Sequence, residues 1–321
     1  MASFKAIIDR IDDAIATFAE KIPASQRDML YAIDEELARL DLLNGKIKPT
    51  VANLKIVNSI KNKLLRVILT DEYKSQVKDF IQSFRDITTL HNQYWRSIEK
   101  KFKPSSILKE VKKVAISDTI EKLTENGINV SVAGPVADIL NQNITQGGSM
   151  KDLRDGLRTM LTDAGDTPGL LKKYATQITT DSINQYSRNY TQIVTSDLGL
   201  EWFGYRNTLI KTSRPFCIAM VERRYFHVSE IPALLKATDL TYLNQKTGKR
   251  EKVKLNPKTK LPDGMYATTN VANFLTLLGG YNCGHQAGPV SETLVKMQDP
   301  ALYNKVISSN SYKAWKRVNA V

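Results

Sequence analysis

The hydrophobic positions of the first half follow helical spacing almost without interruption. Phe4, Ile8, Ile11, Ile15, Phe18 and Ile22 alternate steps of four and three, which predicts a narrow helical seam that must meet another helix. Pro23 is expected to end this helix. Ser25 with Asp28 offers a capping-box-like restart for a second helix through Met29, Ile33, Leu37 and Leu40, which Asn44 and Gly45 close. From Val51 to Phe102 the pattern stays helical through Leu54, Val57, Ile60, Leu64 and Ile68, then Tyr73, Val77, Phe80, Phe84, Ile87, Leu90, Tyr94 and Ile98. Pro104 breaks it, and Leu108, Val111, Ala115 and Ile120 carry a further helix over Ile107 to Leu123.

Asn126 and Gly127 predict a loop, Pro135 the start of a short helix ending near Gly147, and Ser149 with Asp152 the cap of a helix over Met150 to Leu161. A turn containing Gly165, Asp166, Pro168 and Gly169 leads into a long helix, Leu170 to Asp197, stopped by Gly199. The pattern then changes. Trp202, Phe203 and Tyr205 mark a short strand, Arg223 to Phe226 a second, and Leu240–Leu243 with Val253–Leu255 flank a KTGK turn as a hairpin. Ser229 can cap a helix through Leu235, and Asn270 another ending at Gly279 and Gly280. The fold class expected is α+β. A long helical N-terminal arm or bundle spans 1–125, a helical connector 126–170, a small mixed α/β domain 171–291 with a hairpin insertion 240–264, and a helical tail 292–321.

Charge adds a regional feature. The chain of 321 residues carries a formal net charge of +13, which favours polyanionic partners. Met1 to Leu43 is acidic, with five basic and nine acidic residues, whereas Asn44 to Lys113 has sixteen basic and six acidic. Lys100, Lys101, Lys103, Lys109, Lys112 and Lys113 are candidates for nucleic-acid contact there. Lys249, Arg250 and Lys252 are candidates in the hairpin insertion. Such lysines equally serve as a solvated face. No apolar run approaches the roughly 20 residues that cross a bilayer, and Asp9, Arg10, Asp12 and Asp13 interrupt any leader-like apolar stretch at the start. Two cysteines are too few for a secreted disulfide scaffold.

The candidate chemistry is confined to the second half. Cys217, His227, Cys283 and His285 are four residues of the types that hold tetrahedral zinc, and Cys283 and His285 at i and i+2 would point to one side of an extended strand. The same residues admit a Cys217–Cys283 disulfide, simple core packing, or a thiol nucleophile with a histidine base. Motifs of the HExxH, GxxxxGK[ST] and GxSxG kinds do not occur.

Read in order, the second half shows a helix, an aromatic strand, the turn TSRPFC, the strand RRYF, a helix and then GGYNCGHQ. That order resembles the C-terminal domain of phage Mu F-like minor head (head morphogenesis) proteins, over roughly Lys172 to Ser291. Arg214, Pro215 and Cys217 match the family's Arg-Pro-x-Cys turn, and Asn282, Cys283 and His285 its closing element. Gln177–Asp181 departs from the family's Ala-Arg-Thr-Glu helix, and Gly284 stands where the closing element has Arg. The resemblance implies a structural virion component made in the bacterial host cytoplasm and lying in the head interior or at the portal vertex, and with no catalytic motif in the chain no enzymatic activity is expected. Its expected partners are the portal protein, packaged double-stranded DNA bound without sequence preference, capsid or scaffold proteins, and further copies of itself through the N-terminal seam if that seam is not internal. The alternatives are a zinc or thiol enzyme carried in the virion, and a non-specific DNA-binding protein unrelated to phage heads.

Overall fold

We describe residues 3–165 and 167–319 of a computed structural model, with the side chains of all of these except residues 23 and 24; Asp166 of the predicted turn lies outside them. In chain order the elements are α1 (Phe4–Leu37), β1 (Leu42–Leu43), β2 (Lys46–Ile47), α2 (Val51–Ile68), α3 (Asp71–Ile98), α4 (Ser106–Leu123), α5 (Glu125–Ile128), α6 (Gly134–Thr145), α7 (Met150–Leu161), α8 (Leu170–Asp197), β3 (Trp202–Arg206), α9 (Pro215–Arg223), β4 (Tyr225–His227), α10 (Ile231–Leu235), β5 (Thr241–Asn244), β6 (Lys249–Lys252), α11 (Phe274–Leu277), β7 (Gln286–Pro289), α12 (Glu292–Gln298), α13 (Pro300–Ser308) and α14 (Asn310–Asn319). The fold is α+β with a long helical N-terminal region. No helix among the described residues is long and apolar enough to cross a membrane.

Three local expectations are corrected. The helix does not end at residue 23: α1 runs through it to Leu37. A proline inside a helix costs about 3 kcal/mol, but the apolar stripe continues across it with Ile22, Met29, Ile33 and Leu37 all buried. Each such side chain contributes roughly 1.5–3 kcal/mol, so the stripe outweighs the break. Asn44 and Gly45 do not cap a helix. With φ of 50° and 74° they form the two-residue turn joining β1 to β2, in the register Leu42↔Ile47 and Leu43↔Lys46, the Asn-Gly chemistry of a hairpin. Asn126 and Gly127 lie inside α5 rather than in a loop. Close packing selects the glycine, since a Cβ on Gly127 would sit 1.9 Å from the Lys122 carbonyl oxygen.

The contacts divide the chain into two compact units, each drawn from separated stretches of sequence. One unit comprises Asp9–Ile87 and Lys112–Ser182 and is helical apart from the β1–β2 hairpin. Its core includes Phe18 packed edge-on against Phe80 and Tyr73, with ring centroids 5.5 and 6.2 Å apart. Thr50 caps α2 by accepting from the amide of Asn53. Ser149 caps α7 by accepting from that of Asp152, as its sequence position predicts.

The other unit comprises the stretch ending at Ile8, Thr88–Val111 and the stretch from Ile183 on. At its centre is a three-stranded antiparallel sheet in the order β4-β3-β7, with Phe203 opposite Phe226 on one side and Gly204 opposite Gly288 on the other. Phe203 and Tyr205 project into a core shared with Phe216, Cys217, Met220, Phe226, Phe274 and Cys283. Trp202 projects to the opposite face, where Val290, Val295, Val306 and Tyr303 cover it, so the tail helices α12 and α13 belong to this unit's packing. Phe4 also belongs here: a Cβ on Gly288 would fall 2.7 Å from its ring.

A buried thiol and imidazole cluster as the candidate functional site

Three elements bring the candidate residues together. Tyr205 comes from the central strand β3. Pro215, at the first turn of α9, pre-sets the helical backbone, and the following residues put Cys217 on the buried face. Cys283 and His285 lie on the segment entering β7, after a tight turn in which Leu278, Gly280 and Asn282 all have positive φ. Two arginines hold that turn. Arg214 Nη1 donates to the carbonyl of Gly279 (3.0 Å), and its Nη2 to that of Tyr281. Arg188 of α8, only 3% exposed, donates from Nε to the carbonyl of His285 (2.8 Å), from Nη1 to that of Thr276 (3.3 Å) and from Nη2 to that of Cys283.

Cys217, Cys283 and His285 each offer a ligand atom, and the three atoms lie within 4.8 Å of one another. The sulfurs are 4.0 Å apart, and Cys283 Sγ is 3.8 Å from His285 Nδ1. A tetrahedral zinc with bonds of about 2.3 Å to sulfur and 2.0 Å to nitrogen sets these separations at roughly 3.8 and 3.5 Å. The donor set fits such an ion with small adjustments. Tyr205 Oη lies 3.5 Å from Cys217 Sγ and 3.7 Å from Cys283 Sγ, and its ring stacks on His285 at 5.1 Å. Among the described residues, His285 Nε2 is buried without a hydrogen-bond partner. Gly279 makes room for the cluster, because a Cβ there would lie 2.5 Å from Cys217 Sγ and 3.0 Å from Cys283 Sγ.

The two thiols are not equivalent. The hydrogen bond from Cys217, the Arg188 guanidinium and His285 together hold Cys283 well below the ordinary thiol range, against the effect of burial. The hydrogen bond to Cys283 and burial push Cys217 up. Burial also pushes the Tyr205 hydroxyl well up. The two shifts run in opposite directions because the thiols share one contact, 4.0 Å long, in which either sulfur can donate. Both cysteines are 3% exposed.

His227 does not join them, which corrects its place among the metal candidates. Its Nδ1 accepts from the amide of Ser229 (3.1 Å) and its Nε2 lies 3.3 Å from a Glu201 carboxylate oxygen. The ring packs among Trp202, Tyr312 and Trp315. The amide of His227 in turn donates to Glu230, so His227, rather than Ser229, caps the turn before α10. A strand-ending histidine followed three residues later by Glu was the available signal. Burial lowers its pKa, partly offset by Glu201.

Of the basic candidates, Lys100, Lys101, Lys103 and Lys109 are exposed in the sheet-containing unit, while Lys112 (half-buried) and Lys113 (exposed) belong to the helical unit. Lys249 and Lys252 are exposed on β6, and Arg250 is paired with Glu222 at 3.2 Å. Compared with known proteins, the chain matches no family model, no curated protein and no solved structure.

Proposed function

We propose that this chain is a structural minor head protein of a tailed bacteriophage, resident at the portal vertex or in the head interior, in contact with the portal protein and with packaged DNA through phosphates. One observation carries the reading. The Arg-Pro-x-Cys turn at Arg214–Cys217 and the closing element at Asn282–His285, which bear the resemblance to Mu F-like proteins, come together in space, with the buried sulfurs of Cys217 and Cys283 4.0 Å apart and Arg214 donating to the carbonyl of Gly279. Burial of both sulfurs supports an architectural use of these residues over turnover. An asymmetric reconstruction of the portal vertex of phage particles assembled in cells that express this chain tests it. Density for a few copies beside the portal is expected; absence of the chain from DNA-filled heads would overturn the reading.

A second reading concerns what the cluster holds. Zinc bound by Cys217, Cys283 and His285 would tie α9 to the segment before β7 and supply a fixed positive charge for the two cysteine sulfurs. What supports it is the three donor atoms within 4.8 Å. About one equivalent of zinc in protein purified without chelator is expected, lost in the Cys217→Ser variant. Two freely titrating thiols in metal-free, fully folded protein would refute it.

A further inference from the structure

The insertion 240–264 contains a repeated turn. Asn244-Gln245-Lys246-Thr247 and Asn256-Pro257-Lys258-Thr259 share the pattern Asn-x-Lys-Thr, and the two are built alike. In each, the Asn side-chain oxygen accepts from the lysine amide, at 3.0 Å for Lys246 and 2.9 Å for Lys258. The Thr hydroxyl accepts from the amide two residues on, of Lys249 and of Leu261, both at 3.4 Å. Such side-chain-closed turns fix their backbone locally. Their roots are fixed as well, because Leu240, Val253 and Met265 are buried in the core of the sheet-containing unit and Leu261 packs against it. The result is two ordered turns that carry Lys246 and Lys249, and Lys258 and Lys260, all exposed.

These four ammoniums have no carboxylate partner among the described residues, and the nearby acids are engaged elsewhere. Glu251 accepts from Tyr242, Asn244 and Thr247, with Lys254 beside it, and Glu222 pairs with Arg250. Asp263 is the only other carboxylate in the insertion, against seven basic residues. The turns expose no aromatic ring on which an unpaired base could stack, and their only exposed large apolar side chains are Leu243 and Leu255. Anchors of protein interfaces are enriched in Trp and Tyr, with Leu under-represented, and neither turn exposes an aromatic anchor. A repeated unit of lysine point charges without one suits a ligand that is itself a repeat of phosphates.

We propose that the two Asn-x-Lys-Thr turns form a preorganised clamp for the phosphate backbone of duplex DNA, with Lys246, Lys249, Lys258 and Lys260 as the contacts. This deepens the DNA-contact part of the proposed function and rests on it for its biological setting. Each neutralised phosphate adds about −0.9 to the slope of log affinity against log salt. The intact chain is titrated with a labelled 30-base-pair duplex between 50 and 200 mM NaCl by fluorescence anisotropy. The variant with all four lysines changed to alanine is expected to lose about 3.6 from the slope, equivalent to removing a roughly 150-fold salt dependence over that range. A control variant changing Lys100, Lys101, Lys103 and Lys109 to alanine removes the same charge and is expected to keep the greater part of the slope. A slope unchanged in the turn variant, an equal loss in the control, or tighter binding of poly-glutamate than of duplex would each overturn the clamp. Circular dichroism and thermal melting of both variants establish that they are folded. Absence of the chain from the portal vertex would refute the virion reading while leaving this binding test intact, and the converse also holds.

Discussion

Arg188→Met tests how the candidate site is held. Arg188 is buried, no carboxylate pairs with it among the described residues, and its guanidinium donates to the carbonyls of His285, Thr276 and Cys283. Hydrogen bonds from a charged donor contribute about 1.5 kcal/mol each at the low end of their range, so three give about 4.5 kcal/mol. Removing a buried cation returns roughly 1–2 kcal/mol of desolvation. The net expected destabilisation is about 3 kcal/mol, or a melting point lower by roughly 6–12 °C for a unit of this size. Because the chain has two cysteines only, and both lie in the segments Arg188 secures, native-state reaction with an aromatic disulfide reagent reads the same opening. If labelling proceeds through that opening, about 3 kcal/mol speeds it roughly 150-fold. Arg188→Lys should fall between, since one ammonium cannot reach three carbonyls in a fixed fork. Labelling within twofold of the unaltered protein and a melting point within about 1 °C would refute the reasoning.

Other outcomes follow from the same packing. Gly279→Ala drives a methyl group into both sulfurs and should destabilise by about 1–3 kcal/mol, seen as a lower urea midpoint. Phe18→Ala removes the ring between Phe80 and Tyr73 and should cost about 3–5 kcal/mol by the same measurement. His91 is buried and its pKa is pushed down to about 3, and burial also lowers that of His227. His91 stays neutral in the folded chain over this range, so its contribution is complete above the unfolded value near 6.5 and is lost as pH falls below it; the lowered pKa of His227 acts in the same direction. Stability should drop by about 1.4 kcal/mol per pH unit for each group titrating only in the unfolded chain, and urea midpoints that stay level from pH 7 to 5 would contradict this.

Much of the architecture was legible because periodicity and caps are local. The bounds of α8 and the Ser149 cap follow from sequence position alone. What escaped was decided by tertiary packing. Nothing near residue 23 announces that buried residues on both sides will carry a helix through a proline. Asn44-Gly45 reads as a helix stop or as a hairpin turn, and only the pairing of Leu42 with Ile47 chooses. In the site, cysteine and histidine types pointed to Cys217, Cys283 and His285, whereas Arg188, Tyr205 and Gly279 carried no visible signal. Arg188 sits on a helix whose Asn184, Ser187, Thr191 and Thr195 are also buried, so its polar stripe looks solvent-facing until the covering segments are in place. His227 failed as a candidate because a histidine at a strand end serves equally well as a cap.

The packing of Phe4 against Gly288 sets a clock on synthesis. Ribosomes add about 5–20 residues per second, so roughly 15–60 s separate the emergence of this phenylalanine from that of the glycine it covers. For that interval the first turn of α1 is an apolar end without its final contact on β7. Cys283 and His285 appear only at the close of the same interval, so the thiol cluster cannot form, and no ion can be captured by all three donors, until nearly nine-tenths of the chain has been made. A chaperone that shields the N-terminal segment during translation would therefore act on the assembly of a site almost three hundred residues away.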